Sequence, residues 1–392
     1  MSETGSREAP AREKLIPDEF VWIILLAVVL VVGVFVASNW HHAIHKADPT
    51  AFAERSRPLL DGSLPYLDYE FEHLPLAILP MAATAVIESV VDVHYTLIFW
   101  AIMSVVLVGV GHFTNKLGDL LGIEDAALRW VLISWALLPL LAFRVDALSL
   151  LFTLLALTFV ISKRESASAW AMGAAIATKG WPIVLVAVDW WRGKRRRAVV
   201  TVGATMSGVV ILSSFPLFRA GREFFGVHIE TVTGSAVVLG RLLRGLPMQT
   251  DIAAGATYVE VGAWAMAVNL IIGLVIGVLG LRALTREFTW AGAVDLVGVL
   301  TIAVMLVSPL LSAQFIIWFT PFAAVSTSKR VRAGAAGTAL LTGVFVTFWY
   351  FDATWWWALI VARNGFLIWT GWVWSRHLVR DRFVRSLEPS IS

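Results

Sequence analysis

The sequence predicts an all-α, polytopic membrane protein of about twelve transmembrane helices, and three observations lead there. The 392 residues are 58% hydrophobic and only 15% charged, with a mean hydropathy of +0.77, so a water-soluble fold would carry a largely apolar surface. Apolar runs of the length that crosses a hydrocarbon core, about 20 residues, fill most of the chain. Basic residues collect in alternate connections, as they do in the inward-facing loops of membrane proteins. The absence of cysteine excludes a disulfide framework, a thiolate metal site and a cysteine nucleophile.

Taken in order, residues 1–19 form a polar tail carrying Arg7, Arg12 and Lys14, which places the N-terminus on the cytoplasmic side. Residues 21–38 are longer than a signal-peptide apolar region and lack a small-x-small cleavage site, so they read as a retained anchor. Residues 39–92 form a first exoplasmic loop. Its segment 76–91 is too short to cross and carries Pro80 near its start, so it is expected to lie on the outer surface. Further apolar runs begin near Tyr95, Trp130, Ala147, Ala167, Pro182, Ala198, Val261, Ala293, Leu310, Gly334 and Thr354. Residues 167–178 and 182–191 are each too short to span alone. They read as two thin or tilted helices meeting at Lys179-Gly180-Trp181-Pro182. Residues 217–259 form a second large exoplasmic loop, and residues 377–392 a cytoplasmic tail.

Charge placement supports this count. The connections placed inside hold Lys116, Arg129, Lys163, Arg164, the run Arg192-Gly193-Lys194-Arg195-Arg196-Arg197, Arg282, Arg286, Lys329, Arg330, Arg332, Arg376, Arg380, Arg382 and Arg385. These sites, with the N-terminal tail, account for most of the 31 Lys and Arg. Carboxylates gather outside, most densely between residues 48 and 72. Trp355-Trp356-Trp357 and Trp369, Trp372 and Trp374 flank the last apolar run as aromatic belts. Arg363-Asn364 lies inside that run.

The first outer loop holds Asp48, Glu54, Asp61, Asp68, Glu70 and Glu72, with His41, His42, His45 and His73. A carboxylate here has the chemistry of a general base, and equally that of a solvated loop. His41 and His45 share a helix face at a spacing of four, which admits a metal, although interfacial histidines without a catalytic role are commoner; no metal is assigned. Lys179 sits between two apolar runs, where a charge costs roughly 2.5 to 3.5 kcal/mol at mid-helix, so it requires a polar cavity or surface and a counter-charge. Arg144 stands at an outer helix end, suited to bidentate phosphate contact or to pairing with Asp146.

The order of these residues carries a resemblance. Asp48-Pro-Thr-Ala-Phe52, Leu59-Leu60-Asp61-Gly62, Pro65-Tyr66-Leu67-Asp68 and Glu72-His73-Leu74-Pro75 resemble the first exoplasmic loop of GT-C glycosyltransferases, in particular the polyprenol-phosphate-mannose-dependent mannosyltransferases of family 87. Arg144-Val-Asp146, Ala177-Thr-Lys179-Gly-Trp-Pro182, Gly226-Val-His228-Ile-Glu230, and Ser308-Pro309 with Gln314-Phe-Ile-Ile-Trp318 follow in family order, so the resemblance covers about residues 20 to 325. His73-Leu74-Pro75 stands where the family shows Tyr-Pro-Pro, and Ser308 to Gln314 is longer than its compact Ser-Pro-Gln.

The resemblance implies one GT-C-like domain over residues 20–376. It implies transfer of a sugar, mannose first, from a polyprenyl-phosphate donor to a lipid or polysaccharide acceptor on the outer face of the plasma membrane, with inversion. Asp48 takes the general-base role, Asp68, Glu72, His228 and Glu230 line the substrates, and Arg144 and Lys179 bind the lipid phosphate. The partners implied are the lipid-linked donor, a glycolipid or glycan acceptor and membrane lipids; no cofactor is implied, the donor being a co-substrate. A transporter or lipid flippase is the alternative, but its usual repeat halves are absent. P-loop and dinucleotide signatures are also missing, and no concentrated basic reading surface for nucleic acid is present.

Overall fold

A computed structural model describes residues 48–71, 73–215, 217, 227–246, 250–253, 256–259, 263–350 and 356–380. The anchor at 21–38, His41, His42, His45 and Glu72 lie outside the described residues, as does the side chain of Asp48.

The described residues are overwhelmingly helical. The elements run α1 Asp48–Ser56, α2 Ile78–Glu88, α3 Tyr95–Leu121, α4 Ala126–Ser134, α5 Leu138–Leu141, α6 Asp146–Ile161, α7 Glu165–Thr178, α8 Leu185–Trp191 and α9 Arg195–Ser214. They continue with β1 Val227–His228, α10 Val232–Leu243, β2 Thr250–Ala253, β3 Ala256–Val259, α11 Ala263–Leu281, α12 Trp290–Val307, α13 Thr320–Ala324, α14 Lys329–Tyr350 and α15 Trp356–Arg380. The all-α expectation describes nearly all of these residues; in the second loop three short strands add a small antiparallel sheet in the order β1-β3-β2, with Val227 opposite Val259 and Asp251 opposite Tyr258.

Four helices, Tyr95–Leu121, Arg195–Ser214, Trp264–Thr285 and Trp290–Val307, are each long and apolar enough to cross a membrane. Helices α14 and α15 are also long, with 22 and 25 residues, and several other apolar runs are broken into shorter pieces. Pro139 interrupts the stretch after α4, giving α5. The run near Leu310 resolves into a 3₁₀ segment, Ala313–Trp318, followed by α13. Residues 165–191 break where expected, with Lys179 extended and Pro182 opening a 3₁₀ turn before α8, because proline lacks an N–H and cannot continue the preceding helix. Helix α2 has 11 residues, too few to span. It buries Met81 and Ala85 and leaves Leu79, Val86 and Ile87 exposed.

Helix α3 is the mast of the first half. His94 caps its start by accepting from the Thr96 N–H, 3.3 Å, and Gly122, at φ +69°, takes the left-handed conformation that ends it. Helix α3 packs on α2 and α6, and α6 on α7. The α6–α7 pair is close because α7 is rich in Ala, Ser and Gly, which admit a neighbouring backbone. Ser149 donates to the Ala175 carbonyl at 3.1 Å and Ser168 to that of Ala156 at 2.8 Å. Helix α13 is fastened to α4, where the Trp130 indole and the Ser134 hydroxyl both reach the Thr320 hydroxyl, at 3.2 and 3.0 Å. In the second half α11 packs on α12 and α14 on α15, and the Trp374 indole donates to Asp295 at 2.7 Å.

Candidate functional site

The α6–α7 hairpin returns the chain to its own beginning, so Lys179, just past α7, meets Asp146, the first residue of α6. Lys179 Nζ stands 3.1 Å from Asp146 Oδ1 and 3.2 Å from Oδ2, and Trp318 Nε1 donates to Oδ1 at 2.8 Å. Asp146 is buried and lies at a helix N-terminus, where a carboxylate is favoured by the peptide dipoles. Lys179 is the open member: 22% of its side chain is exposed, against 2% for Asp146. Beside it three rings stack in a row, Trp181 on Trp318 at 5.2 Å and Trp318 on Phe315 at 4.1 Å, with the ammonium 5.1 Å from the Phe315 centroid. An ammonium has three donors, and a single carboxylate leaves it able to receive an anion from its open side.

The second cluster hangs on Arg363, fully buried in α15. Its guanidinium donates to Glu230 Oε2 at 2.8 Å and to the Glu230 carbonyl, and it is braced by Asn364 Oδ1 at 3.1 and 2.9 Å. Asn364 in turn donates to the carbonyls of Glu230 and Thr231, both at 3.1 Å, and to Ser235 at 2.9 Å. The second loop is thereby pinned to the last helix. His228 is held by its backbone N–H to the Pro309 carbonyl at 3.0 Å, and its Nδ1 lies 2.7 Å from the Leu311 carbonyl. The Glu230 N–H also points at Nδ1, at 3.4 Å. Burial pushes the imidazole pKa down, with the Glu230 carboxylate partly restoring it.

One segment serves both clusters. The stretch 308–318 gives Pro309 and Leu311 to His228 at one end, and Phe315 and Trp318 to Lys179 and Asp146 at the other. Ser308 folds back on the Leu310 N–H at 3.1 Å, and Ser312 donates to Gln314 at 2.6 Å, so Gln314 is engaged within the segment.

The segment that follows Asp48 closes the arrangement. Helix α1, which Asp48 begins, buries Phe52 against the rings of His73 and Phe99, at 5.5 and 5.3 Å. Tyr66 donates to the His73 carbonyl at 2.6 Å. Asp68 is exposed and accepts from the Leu64 N–H at 2.7 Å, a turn-holding contact. The 3₁₀ segment Pro75–Ala77 packs on α7, so the loop that Asp48 opens rests on the helix that ends at Lys179.

The structure sets Lys179, His228 and Glu230 in polar clusters, and of the partners the sequence left open for Asp146 it shows Lys179 and Trp318. Arg144, two residues before Asp146, is partly exposed. Trp181, Phe315 and Trp318 as neighbours of the cation were missed, and the family-order motifs containing them were the available signal. Arg363 as the partner of Glu230 was also missed, although a charge inside an apolar run implies one. Among the described residues no three His, Asp or Glu side chains stand together as a metal site. Comparison with protein families, curated proteins and solved structures finds no match to this chain.

Proposed function

We propose that this chain is a GT-C-like membrane glycosyltransferase of about twelve crossings, taking a sugar, mannose first, from a polyprenyl-phosphate donor on the outer face of the plasma membrane. The observation that carries the proposal is Lys179: a cation inside an apolar chain, oriented by a buried carboxylate, flanked by stacked aromatics, and open on one side, next to the loop that Asp48 begins. In this reading the acceptor hydroxyl attacks the anomeric carbon as the bond from that carbon to the phosphate oxygen breaks, with inversion. Asp48 takes the hydroxyl proton as its acidity rises in the transition state, a form of assistance that typically contributes about 100- to 10,000-fold. The departing polyprenyl phosphate gains negative charge, and Lys179 stabilises it. Asp68 and Glu72 orient hydroxyls from the first loop, Arg144 supplies a second phosphate contact, and His228 and Glu230 shape the far wall.

Binding of sugar-free polyprenyl phosphate to the purified protein tests the cation separately from the base. Quenching of tryptophan fluorescence, with Trp181 and Trp318 beside Lys179, is expected in the wild type and in Asp48→Asn, and weakened about tenfold or more in Lys179→Gln, a loss on the scale of one charge-assisted contact. Equal binding by Lys179→Gln would remove Lys179 from the phosphate site. Translocation of the lipid without glycosyl transfer would favour the flippase reading.

A further inference from the structure

Helix α9 is set apart from the rest of the bundle. Only 6% of its apolar window is buried, against 61% for α12, and Ala198 is its single buried residue among the described side chains. Val199, Val200, Val209, Val210 and Ile211 are exposed along its length. It leaves α8 through Gly193, whose φ of +75° permits the sharp turn that a side chain would strain.

At this turn lies an open cup of about 450 Å³ lined by Gly193, Lys194, Arg195, Arg196, Arg197 and Val200. Arg197 is committed to the interior, at 2.6 Å from Glu165 and 2.8 Å from Asp189. Lys194, Arg195 and Arg196 are exposed and have no carboxylate at ion-pair distance among the described residues. The Arg195 guanidinium lies 5.3 Å from the ring centroid of half-exposed Trp190, and tryptophan favours the membrane–water boundary.

We infer that this cup binds the phosphate headgroup of an acidic phospholipid, with its acyl chains lying along the uncovered face of α9. Charge complementarity selects the headgroup: the three exposed cations line a cup that contains no acidic residue. The apolar helix rising from the cup's rim selects a lipid over a soluble phosphate, because Val199 and Val200 continue the cup directly into hydrocarbon. This site is separate from the Lys179 cluster and does not depend on the glycosyltransferase reading.

Native mass spectrometry of the full chain in neutral detergent, with phosphatidylglycerol or phosphatidylcholine added in equal amounts, tests the inference. The wild type is expected to retain phosphatidylglycerol in preference to phosphatidylcholine. The Arg195→Gln/Arg196→Gln double variant should lose about thirty-fold of that affinity, from two surface cations, while Lys194→Gln alone gives a smaller loss. Because these side chains are exposed, the variants should melt with the wild type when phosphatidylglycerol is absent. Equal retention of the two lipids, undiminished phosphatidylglycerol binding by both variants, or displacement of the lipid by an equimolar amount of inorganic phosphate would each overturn it.

Discussion

At the scale of single residues, the pairs Lys179–Asp146 and Arg363–Glu230 each have a consequence to measure. Lys179→Gln removes the cation proposed to face the leaving phosphate, and turnover should fall about 100-fold or more, as when a preorganised donor to a developing anion is removed. Asp146→Asn keeps an acceptor for the Trp318 indole but loses the charge that orients Lys179, so its turnover should lie between the two. Arg363 is fully buried against Glu230, and Arg363→Met leaves that carboxylate without its guanidinium. A loss of about 3 to 5 kcal/mol is expected, read as a lowered unfolding midpoint in detergent, and Glu230→Gln combined with Arg363→Met should recover part of it. His228 carries a pH dependence. Its folded pKa lies below the usual value of about 6.5, so the unfolded chain takes the proton first. The stability contribution is complete above that value and declines as pH falls from it to the depressed folded pKa. The unfolding midpoint should drop more steeply with acidification in the wild type than in His228→Asn, and parallel curves would contradict the assignment.

At the scale of elements, the close approaches of helices depend on small residues at particular positions. A Cβ on Gly298 would overlap the indole of Trp374, which is also bound to Asp295, so the ring cannot simply swing away. Gly298→Ala should cost about 1 to 3 kcal/mol, again measured as an unfolding midpoint, whereas Gly173→Ala on α7, with nothing near its Cβ position, should be neutral or slightly stabilising. Much of this level was legible in the sequence. Hydropathy located the helices beginning at Tyr95 and Trp290, and Pro182 announced the break at Lys179. The sheet of the second loop was not legible, because strands of two and four residues are too short to show an alternating pattern. Nor were the partners of the site. Asp146 and Lys179 are 33 positions apart, and Glu230 and Arg363 are 133. Which charge meets which is set by helix lengths and by the tilt of one helix on another, and hydropathy does not encode those.

At the scale of the whole molecule, an apolar scaffold carries a cation-bearing cluster at one end of the α6–α7 hairpin and a basic cup near the other. The two should face opposite sides of the membrane. Because the chain has no cysteine, single-cysteine variants at Asp68 and Lys194 report sidedness without background. A membrane-impermeant maleimide applied to intact cells should label the first and spare the second; labelling of both, or of the second alone, would reverse or refute the topology. Glycosyl transfer by the loop that Asp48 begins is tested most directly by product formation from radiolabelled polyprenyl-phosphate mannose and a membrane glycolipid extract. Wild-type protein should yield labelled glycolipid and Asp48→Asn, folded to the same unfolding midpoint, should yield none. Undiminished product from Asp48→Asn would contradict the assignment of the base. Absence of product from the wild type with mannose and with other polyprenyl-phosphate sugars would contradict the function.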